Sequence, residues 1–346
     1  MRAPIDEGRG TALKRLGVIL LLLALLLSAG CGGGEEAPQA TPTLSPAPST
    51  ASPTAGVTAT IQPALTPGTP VATVEPLPMG KIAFSSRRDG NGEIYLLTLE
   101  GEVNLTNDPA EDGVCDVSPD GTEIAFASDR DGTQHIYVMN VDGSDLRRLT
   151  DEPSGDMYPR WSPDGKQIAF SRGVSLYVMD SDGSNVRRVL EAVSDASPSS
   201  CEAGGFVGDW SPDGKQLTFY VSIATSQRQV CVVNVDGSGL TSVIGGPSGH
   251  HVEPAWSPDG EWIAFRDIRD HNSEIHIVKP DGTSVKGLTD NPATDIEPDW
   301  SPDSQWVVFT SDRSGDFDLY IMKPDGSDLT RVTGTLGKDS DPSWGP

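Results

Sequence analysis

The chain is organised around the stretch Trp161-Ser162-Pro163-Asp164-Gly165, which precedes the apolar run Ile168-Ala169-Phe170. The phrase recurs along the chain, once with its Trp replaced, once with its last Gly replaced and once cut short by the C-terminus. The copies begin at Val117, Trp161, Trp210, Trp256, Trp300 and Trp344, at steps of 44, 49, 46, 44 and 44 residues. A period of about 45 residues, with four short strand-like segments in each unit, is typical of β-propeller blades.

The composition favours strands over helices. The chain has 38 Gly and 28 Pro among 346 residues, and 36% of its residues are hydrophobic. This composition fits many short strands joined by tight turns. Beyond the N-terminal region, no segment has the i, i+3, i+4, i+7 apolar spacing needed for a long helix. We therefore expect an all-β protein.

Each repeat contains four predicted strands, which we name A, B, C and D in chain order. In the copy that opens at Trp161 they are Met157–Trp161, Lys166–Ser171, Ser175–Asp180 and Val186–Leu190. Ser-Pro-Asp-Gly joins A to B, and Asp182-Gly183 joins C to D. Proline presets φ at the start of a turn, and Asp-Gly supplies the positive φ of a tight hairpin.

The repeats are out of phase with the ends of the domain. The domain begins with a B strand at Lys81 and ends with an A strand at Asp341–Trp344. A propeller closes without exposed sheet edges only if this last A strand pairs with the first B strand. We predict a six-bladed β-propeller of four-stranded blades, in which the C-terminal strand completes the N-terminal blade.

The order of phrases within each unit resembles the PD40 repeats of TolB-like propellers. In the copy that opens at Val117, the matching segments are Ile124–Ser128, Arg130–Gly132, Ile136–Asn140, Asp142-Gly143 and Leu146–Thr150. The resemblance covers Lys81–Pro346 and implies an interaction role in the cell envelope. The resemblance does not identify a particular partner, because propellers also serve as peptidase appendages and occasionally as enzymes.

The N-terminus has the pattern of an export signal. Basic residues precede the apolar stretch Leu16–Leu27, which is about as long as a signal-peptide core and short for a membrane span. The following Ser28-Ala29-Gly30-Cys31 resembles a bacterial lipobox, which implies lipid attachment at Cys31. An ordinary cleaved signal and an uncleaved anchor are the alternatives.

Three segments follow from this pattern. Residues 1–30 are a predicted lipoprotein signal peptide, and residues 79–346 are the predicted propeller. Between them, residues 31–78 are rich in Pro, Thr, Ala and Ser and should form a disordered, extended tether. We expect a monomeric domain that is lipid-anchored to the bacterial cell membrane and faces the periplasm or the cell exterior.

The charge of the chain excludes some partners. The formal net charge is −25, and no lysine- or arginine-rich run is present. Binding to nucleic acid or to an anionic membrane surface is therefore not expected, and the lipid is the expected membrane contact.

Three cysteines remain once Cys31 is assigned to the lipid. Cys201 and Cys231 belong to or border one blade, so they are the expected disulfide in an exported protein. Cys115 is then a buried thiol. The cysteines lack the close spacing of a zinc site.

Five residues before each Trp position, the repeats carry mostly acidic residues. They are Asp112, Asp156, Gly205, His251, Asp295 and Asp339. Equivalent positions of a ring should gather near the channel mouth, where the Asp and His side chains could bind a divalent cation or a cationic partner group. Glu253, Glu297 and Asp341 add acid two residues further on. The favoured interpretation is architectural: each Asp caps backbone N–H groups and ties neighbouring blades together.

The B–C loops carry repeated arginines. They are Arg88, Arg130, Arg269 and Arg313. They could contact a partner, but the expected role is pairing from blade to blade with the acidic residues.

The departures from the repeat cluster around the fourth and fifth blades. They include a lengthened connection with Cys201, the replacement of an acid by Gly205, and Gly249-His250-His251 in place of the usual acidic approach. Loops carry function on a rigid scaffold, so this region, with Glu253, is a candidate partner-binding face; neutral loop drift is the alternative.

From the resemblance and this candidate face, we predict that the propeller binds or scaffolds an envelope protein or glycan and needs no cofactor. The stretch Gly245–Gly249 does not fit the G-x-S-x-G nucleophile motif, because His250 stands where the last Gly is required. We therefore predict no enzyme. The alternative is a metal-assisted lyase or hydrolase acting at the channel mouth through Asp112, Asp156, His251, Asp295 and Asp339.

Overall fold

The computed structural model describes residues 80–193, 201–222, 228–245 and 250–346. In these ranges the chain forms twenty-four β-strands and one short 3-10 helix, Cys201–Ala203. The strands make six separate four-stranded antiparallel sheets, and the innermost strands contact one another in cyclic order. The predicted six-bladed β-propeller is confirmed.

The sheets are numbered as blades in ring order. Blade 1 contains β24 (Asp339–Gly345), β1 (Lys81–Ser86), β2 (Glu93–Thr98) and β3 (Gly101–Asn104). Blade 2 contains β4 (Asp112–Val117), β5 (Glu123–Ser128), β6 (His135–Asn140) and β7 (Arg147–Arg148). Blade 3 contains β8 (Asp156–Trp161), β9 (Gln167–Arg172), β10 (Ser175–Asp180) and β11 (Arg187–Leu190).

The remaining blades follow the same order. Blade 4 contains β12 (Phe206–Trp210), β13 (Gln216–Ser222), β14 (Arg228–Asn234) and β15 (Thr241–Ile244). Blade 5 contains β16 (His251–Trp256), β17 (Ile263–Arg269), β18 (Asn272–Val278) and β19 (Lys286–Gly287). Blade 6 contains β20 (Asp295–Trp300), β21 (Val307–Ser311), β22 (Asp318–Met322) and β23 (Thr330–Arg331).

The two faces of the ring differ in their connections. The A–B and C–D turns lie on one face, which we call the turn face, and the D–A and B–C connections lie on the opposite loop face. In the A–B turn of blade 3, the Gly165 N–H donates to the Ser162 carbonyl at 2.8 Å, and Gly165 has a φ of 68°. This positive φ explains why the phrase ends in Gly in most copies.

The predicted clasp closes the ring. β24 pairs with β1 in antiparallel register, with Trp344 opposite Ile82 and Asp339 opposite Ser86. Blade 1 is therefore assembled from both ends of the described chain, and β1 has a neighbour on each side.

A separate hydrophobic cluster fills each junction between neighbouring blades. Each cluster contains one fully buried Phe from a B strand, namely Phe84, Phe126, Phe170, Phe219, Phe265 or Phe309. The Trp of the repeated phrase packs against the preceding blade. Trp344, for example, contacts the cluster that contains Val308 and Ile321 of blade 6. The repeated phrase thus forms the turn between strands A and B, and its Trp packs between two neighbouring blades.

Each A strand bulges at its middle. The pairing of A with B shifts register between Gly113 and Asp116 in blade 2 and at equivalent positions in the other blades. The bulge sets the side-chain directions of the innermost strands, since one extra residue breaks the strict alternation of a strand.

The signal peptide and tether assignments, residues 1–30 and 31–78, fall outside the described residues and stay predictions. Within the described ranges, no helix combines the length and apolar character required to cross a bilayer.

Deleting residues 339–346 should unfold or aggregate the domain, because β1 would become an open edge and the packing of Trp344 would be lost. Loss of a buried Trp side chain costs about 3–5 kcal/mol, which is a large part of a typical stability of about 5–15 kcal/mol. Thermal unfolding monitored by tryptophan fluorescence tests this. Deletion of the exposed Pro346 alone is the matched control. Unchanged melting of the longer deletion would contradict the clasp.

Candidate functional site

The acidic positions at the start of the A strands do not meet at the channel. Asp112, Asp156, Asp295 and Asp339 are buried, and each pairs with an arginine of its own blade. The distances are 2.9 Å for Arg130–Asp112, 2.7 Å for Arg172–Asp156, 2.8 Å for Arg313–Asp295 and 2.8 Å for Arg88–Asp339. The blade-to-blade pairing expected for Arg88, Arg130 and Arg313 is therefore corrected, because their pairs lie within blades, and Arg172 makes a fourth such pair.

The arginines of these pairs are also held by aromatic rings. Each guanidinium lies over a C-strand tyrosine, at 4.4 to 4.9 Å from the ring centroid, in the pairs Arg88–Tyr95, Arg130–Tyr137, Arg172–Tyr177 and Arg313–Tyr320. Cation–π contact and ion pairing together fix the B–C loop onto the A strand. These predicted site residues thus stabilise the blades.

Blade 5 replaces this arrangement with a His–Asp–His cluster. His251 Nδ1 lies 3.2 Å from Asp267 Oδ1, and His276 Nε2 lies 3.7 Å from Asp267 Oδ2. Arg269 pairs with Asp267 at 2.6 Å and is largely exposed. Burial opposes ionisation of Asp267, but the neighbouring histidines and Arg269 hold its pKa below the ordinary value. Burial lowers the pKa of His276.

The five residues considered as metal ligands lie in five different blades, and four of them are engaged by arginine. Among the described residues, no group of three or more His, Cys, Asp or Glu side chains is arranged to hold a metal ion. The expected convergence of Asp112, Asp156, His251, Asp295 and Asp339 is therefore corrected, because each carboxylate is held by its own B–C loop.

The departures from the repeat lie on the loop face of blades 4 and 5. Cys201 and Cys231 form the predicted disulfide, with 6.1 Å between their Cα atoms, and Cys115 is free and buried. His250 accepts a hydrogen bond from Ile268 N through its carbonyl. Residues 194–200, 223–227 and 246–249 of the same loops lie outside the described residues.

Gly205 has a packing role. A Cβ at this position would lie 2.0 Å from the Tyr220 carbonyl oxygen, so a side chain is excluded. The replacement of the usual acid by Gly therefore lets the A and B strands of blade 4 approach closely at the loop face.

All six A strands line a cavity on the ring axis. Its volume is about 60 Å³, and its lining includes Tyr220 from a B strand. Two sets of A-strand residues form its wall. The upper ring, nearer the loop face, consists of Val114, Tyr158, Val207, Glu253, Glu297 and Asp341. The lower ring, nearer the turn face, consists of Asp116, Arg160, Asp209, Ala255, Asp299 and Ser343.

The lower ring joins the blades to one another. Asp116 accepts a hydrogen bond from Trp161 N at 2.6 Å, Asp209 from Trp256 N at 2.8 Å, and Asp299 from Trp344 N at 2.7 Å. In each case the donor belongs to the next blade. The expected role of capping N–H groups and tying blades together is thus filled by the lower-ring aspartates Asp116, Asp209 and Asp299.

Arg160 is the single arginine of the cavity lining. Its guanidinium donates to the carbonyls of Gly208 at 2.8 Å, Pro159 at 3.0 Å and Cys115 at 3.4 Å. It makes no direct ion pair within the described ranges, but its charge acts on the lower-ring aspartates. Burial raises the pKa of Asp116 to about 6 and, with repulsion from Asp299 and Asp116, that of Asp209 to about 8.

The upper ring contains closely spaced carboxyl groups. Glu253 accepts from Glu297 N at 3.0 Å, and Glu297 accepts from Asp341 N at 2.8 Å, so the three side chains follow one another around the ring. Arg266 pairs with Glu253 at 3.0 Å. No described Arg or Lys forms an ion pair with Glu297 or Asp341. Burial and the charges of Asp341 and Glu253 raise the pKa of Glu297 to about 8.

An aromatic wall completes the cavity on the side of blades 3 and 4. It consists of Tyr158, Phe206 and Tyr220, with ring centroids separated by 5.2 Å and 5.4 Å. In a ring of six blades, Tyr158 of blade 3 is opposite Glu297 of blade 6, and Tyr220 of blade 4 is opposite Asp341 of blade 1. Burial, with the upper-ring carboxylates, raises the pKa of Tyr158.

Sequence reasoning identified Glu253, Glu297 and Asp341 as acids of this face but missed the aromatic wall and the lower ring. The sequence feature that could have revealed the aromatic wall and the lower ring is variation at fixed positions of the repeat. The residues one and three before each Trp position change from blade to blade, whereas the position between them is Pro in four of the six copies.

These features define a closed six-bladed propeller with a cavity on its axis. The family model for the TolB beta propeller domain, PD40, matches residues 77–207 and 173–346. The chain belongs to this family.

One segment of the chain has a close relative. Over 54 residues it is 41% identical to the Tol-Pal system protein TolB of Syntrophus aciditrophicus (strain SB), a match that covers 16% of this chain and 12% of that protein. The chain thus matches about an eighth of the length of this relative.

Solved structures share the fold at low identity. TolB from Acinetobacter baumannii has a TM-score of 0.66 and 21% identity, with 77% of this chain and 67% of that chain covered. An oligogalacturonate lyase in complex with manganese has a TM-score of 0.50 and 16% identity, with 75% of each chain covered. At these identities the likeness establishes the fold alone.

The Glu297→Gln variant should be more stable than the parent at alkaline pH. A raised carboxyl pKa gives stability that is present below about pH 4.5 and is lost as pH rises through about 8, whereas Gln stays neutral. Gln can still accept from Asp341 N through its carbonyl oxygen.

The expected gain at pH 8.5 is on the order of 1–3 kcal/mol, or several degrees of melting temperature, and it should nearly vanish at pH 5. Differential scanning fluorimetry at the two pH values measures it. Glu261→Gln, which neutralises an exposed carboxylate outside the cavity, is the matched control. An equal effect at both pH values would contradict the burial of charge at Glu297.

Proposed function

We propose that the chain is an exported lipoprotein that binds a partner protein of the bacterial cell envelope at the loop-face mouth of its cavity. The observation that carries this proposal is the wall of the axial cavity, which breaks the repeat with aromatic and acidic residues. A wall needed only for packing would repeat with the blades, as the B-strand Phe residues do.

Backbone strain supports a function at the upper ring. Five of its residues have positive φ, namely Val114, Tyr158, Glu253, Glu297 and Asp341, at 49° to 58°. Such a conformation costs a non-glycine residue about 1–2 kcal/mol and is over-represented at binding sites. The bulges turn these side chains toward the axis, where a partner entering from the loop face would meet them.

The envelope location rests on the sequence signals and the disulfide. The export pattern that ends at Cys31 implies a lipid anchor, and Cys201–Cys231 fits an oxidising compartment. Membership of the TolB propeller family supports an envelope interaction role.

The cavity chemistry disfavours a lyase for acidic sugars. Six carboxyl groups and one arginine line the cavity, so a polyanionic oligogalacturonate would be repelled. Among the described lining residues there is also no histidine, cysteine or lysine to pair as nucleophile and base. A protein partner fits these observations better than an enzyme substrate.

Photo-crosslinking in intact cells tests the proposal. A photoreactive phenylalanine analogue at Tyr220 should give light-dependent adducts with an envelope protein, whereas the same analogue at Gln305, exposed on the turn face, should not. Equal adducts at both positions, or none at Tyr220, would contradict binding at the mouth. An adduct that resists protease would identify a glycan and overturn the protein assignment.

A further inference from the structure

We propose that the cavity recognises a primary ammonium group carried by the partner polypeptide, either a lysine side chain or a free amino terminus. The ammonium would lie between the upper-ring carboxylates and the aromatic wall. This inference rests on the proposed function and specifies the chemistry of its binding site.

The carboxylates supply acceptors that the protein itself leaves unused. Among the described residues, no hydrogen-bond donor reaches Glu297 Oε1, whereas Glu297 Oε2 accepts from Asp341 N and Thr310 Oγ1. Glu253 already accepts from Arg266 and Glu297 N. Glu297 and Asp341 therefore offer carboxyl oxygens that no described arginine or lysine pairs with.

The aromatic wall supplies a second, independent preference for an organic cation. The faces of tyrosine rings attract ammonium groups, by about 0.5–1 kcal/mol at exposed sites and about 2 kcal/mol when desolvated. Tyr158 and Tyr220 both line the cavity, across the axis from the carboxylates. A cation on the axis would thus be held from both sides, and the alkyl chain of a lysine would pack against the rings.

The geometry distinguishes an ammonium from other cations. A metal ion requires a compact set of ligands, and the described residues offer no such group. An ammonium needs no such group, since one N–H donated to a carboxyl oxygen of Glu297 or Asp341, with the tyrosine rings opposite, would hold it. A bound cation would also relieve the repulsion that raises the pKa of Glu297.

Fluorine NMR of the full chain in detergent, labelled with 3-fluorotyrosine, tests this inference with an internal control. The chain has six tyrosines. Tyr158 and Tyr220 line the cavity, whereas Tyr95, Tyr137, Tyr177 and Tyr320 lie under blade arginines. The second group reports whether each variant is folded.

Three pentapeptides serve as probes. Acetyl-Gly-Gly-Lys-Gly-Gly-amide carries a side-chain ammonium, Gly-Gly-norleucine-Gly-Gly-amide carries a terminal ammonium, and acetyl-Gly-Gly-norleucine-Gly-Gly-amide carries none. We expect saturable shifts of Tyr158 and Tyr220 with at least one ammonium peptide and none with the neutral peptide. The responding peptide identifies the source of the group. Equal shifts with the neutral peptide, or no shift with any, would overturn the inference.

Charge variants locate the site. Glu297→Gln with Asp341→Asn should weaken binding of the responding peptide about tenfold, whereas Glu261→Gln should leave it unchanged. Equal weakening by both would show a general charge effect and overturn the site. If the ammonium peptides fail to bind while the Tyr220 crosslink persists, this inference falls and the proposed function stands. If an ammonium peptide binds but no crosslink forms at Tyr220, the cavity still recognises an ammonium group and the proposed binding of an envelope protein falls.

Discussion

Pairing of β24 with β1 is the constraint on which the rest of the structure depends. It converts six sheets in a row into a ring, and only a ring brings the A strands of all blades around one axis. Arg88 and Asp339 lie on the two sides of this seam, so an ion pair repeated in other blades here joins the ends of the domain. The cavity therefore depends on closure as much as on its own residues.

Inside the ring, the fold uses polar groups at two levels. The outer Asp–Arg–Tyr sets tie the B and C strands to the A strand in blades 1, 2, 3 and 6. The lower-ring aspartates accept hydrogen bonds from Trp N–H groups of the next blade. The upper ring is different, because Glu297 and Asp341 remain without a charge partner among the described residues. A buried carboxyl group without a charge partner costs stability, so we place the binding role of the cavity at the upper ring.

Much of the fold could be predicted from sequence, since the spacing of Trp161 and its equivalents gives the blade count and the Asp-Gly pairs give the turns. The A-strand bulges could not be predicted, and they decide which side chains face the axis. Tyr220 lines the cavity from a B strand, and its carbonyl lies too close to Gly205 for a side chain there; both are tertiary effects. The pairing of Asp112 with Arg130 inside one blade follows from the register that sets Asp112 opposite Ser128, which the sequence does not show.

The central claim is that the axis of the ring binds a cationic group between acidic and aromatic walls. A crystal structure of the domain grown with the lysine pentapeptide tests it most directly. The account predicts density for the ammonium within hydrogen-bond distance of Glu297 or Asp341 and in contact with the ring of Tyr158 or Tyr220. An ordered peptide bound elsewhere on the propeller, with the cavity filled only by water, would contradict it.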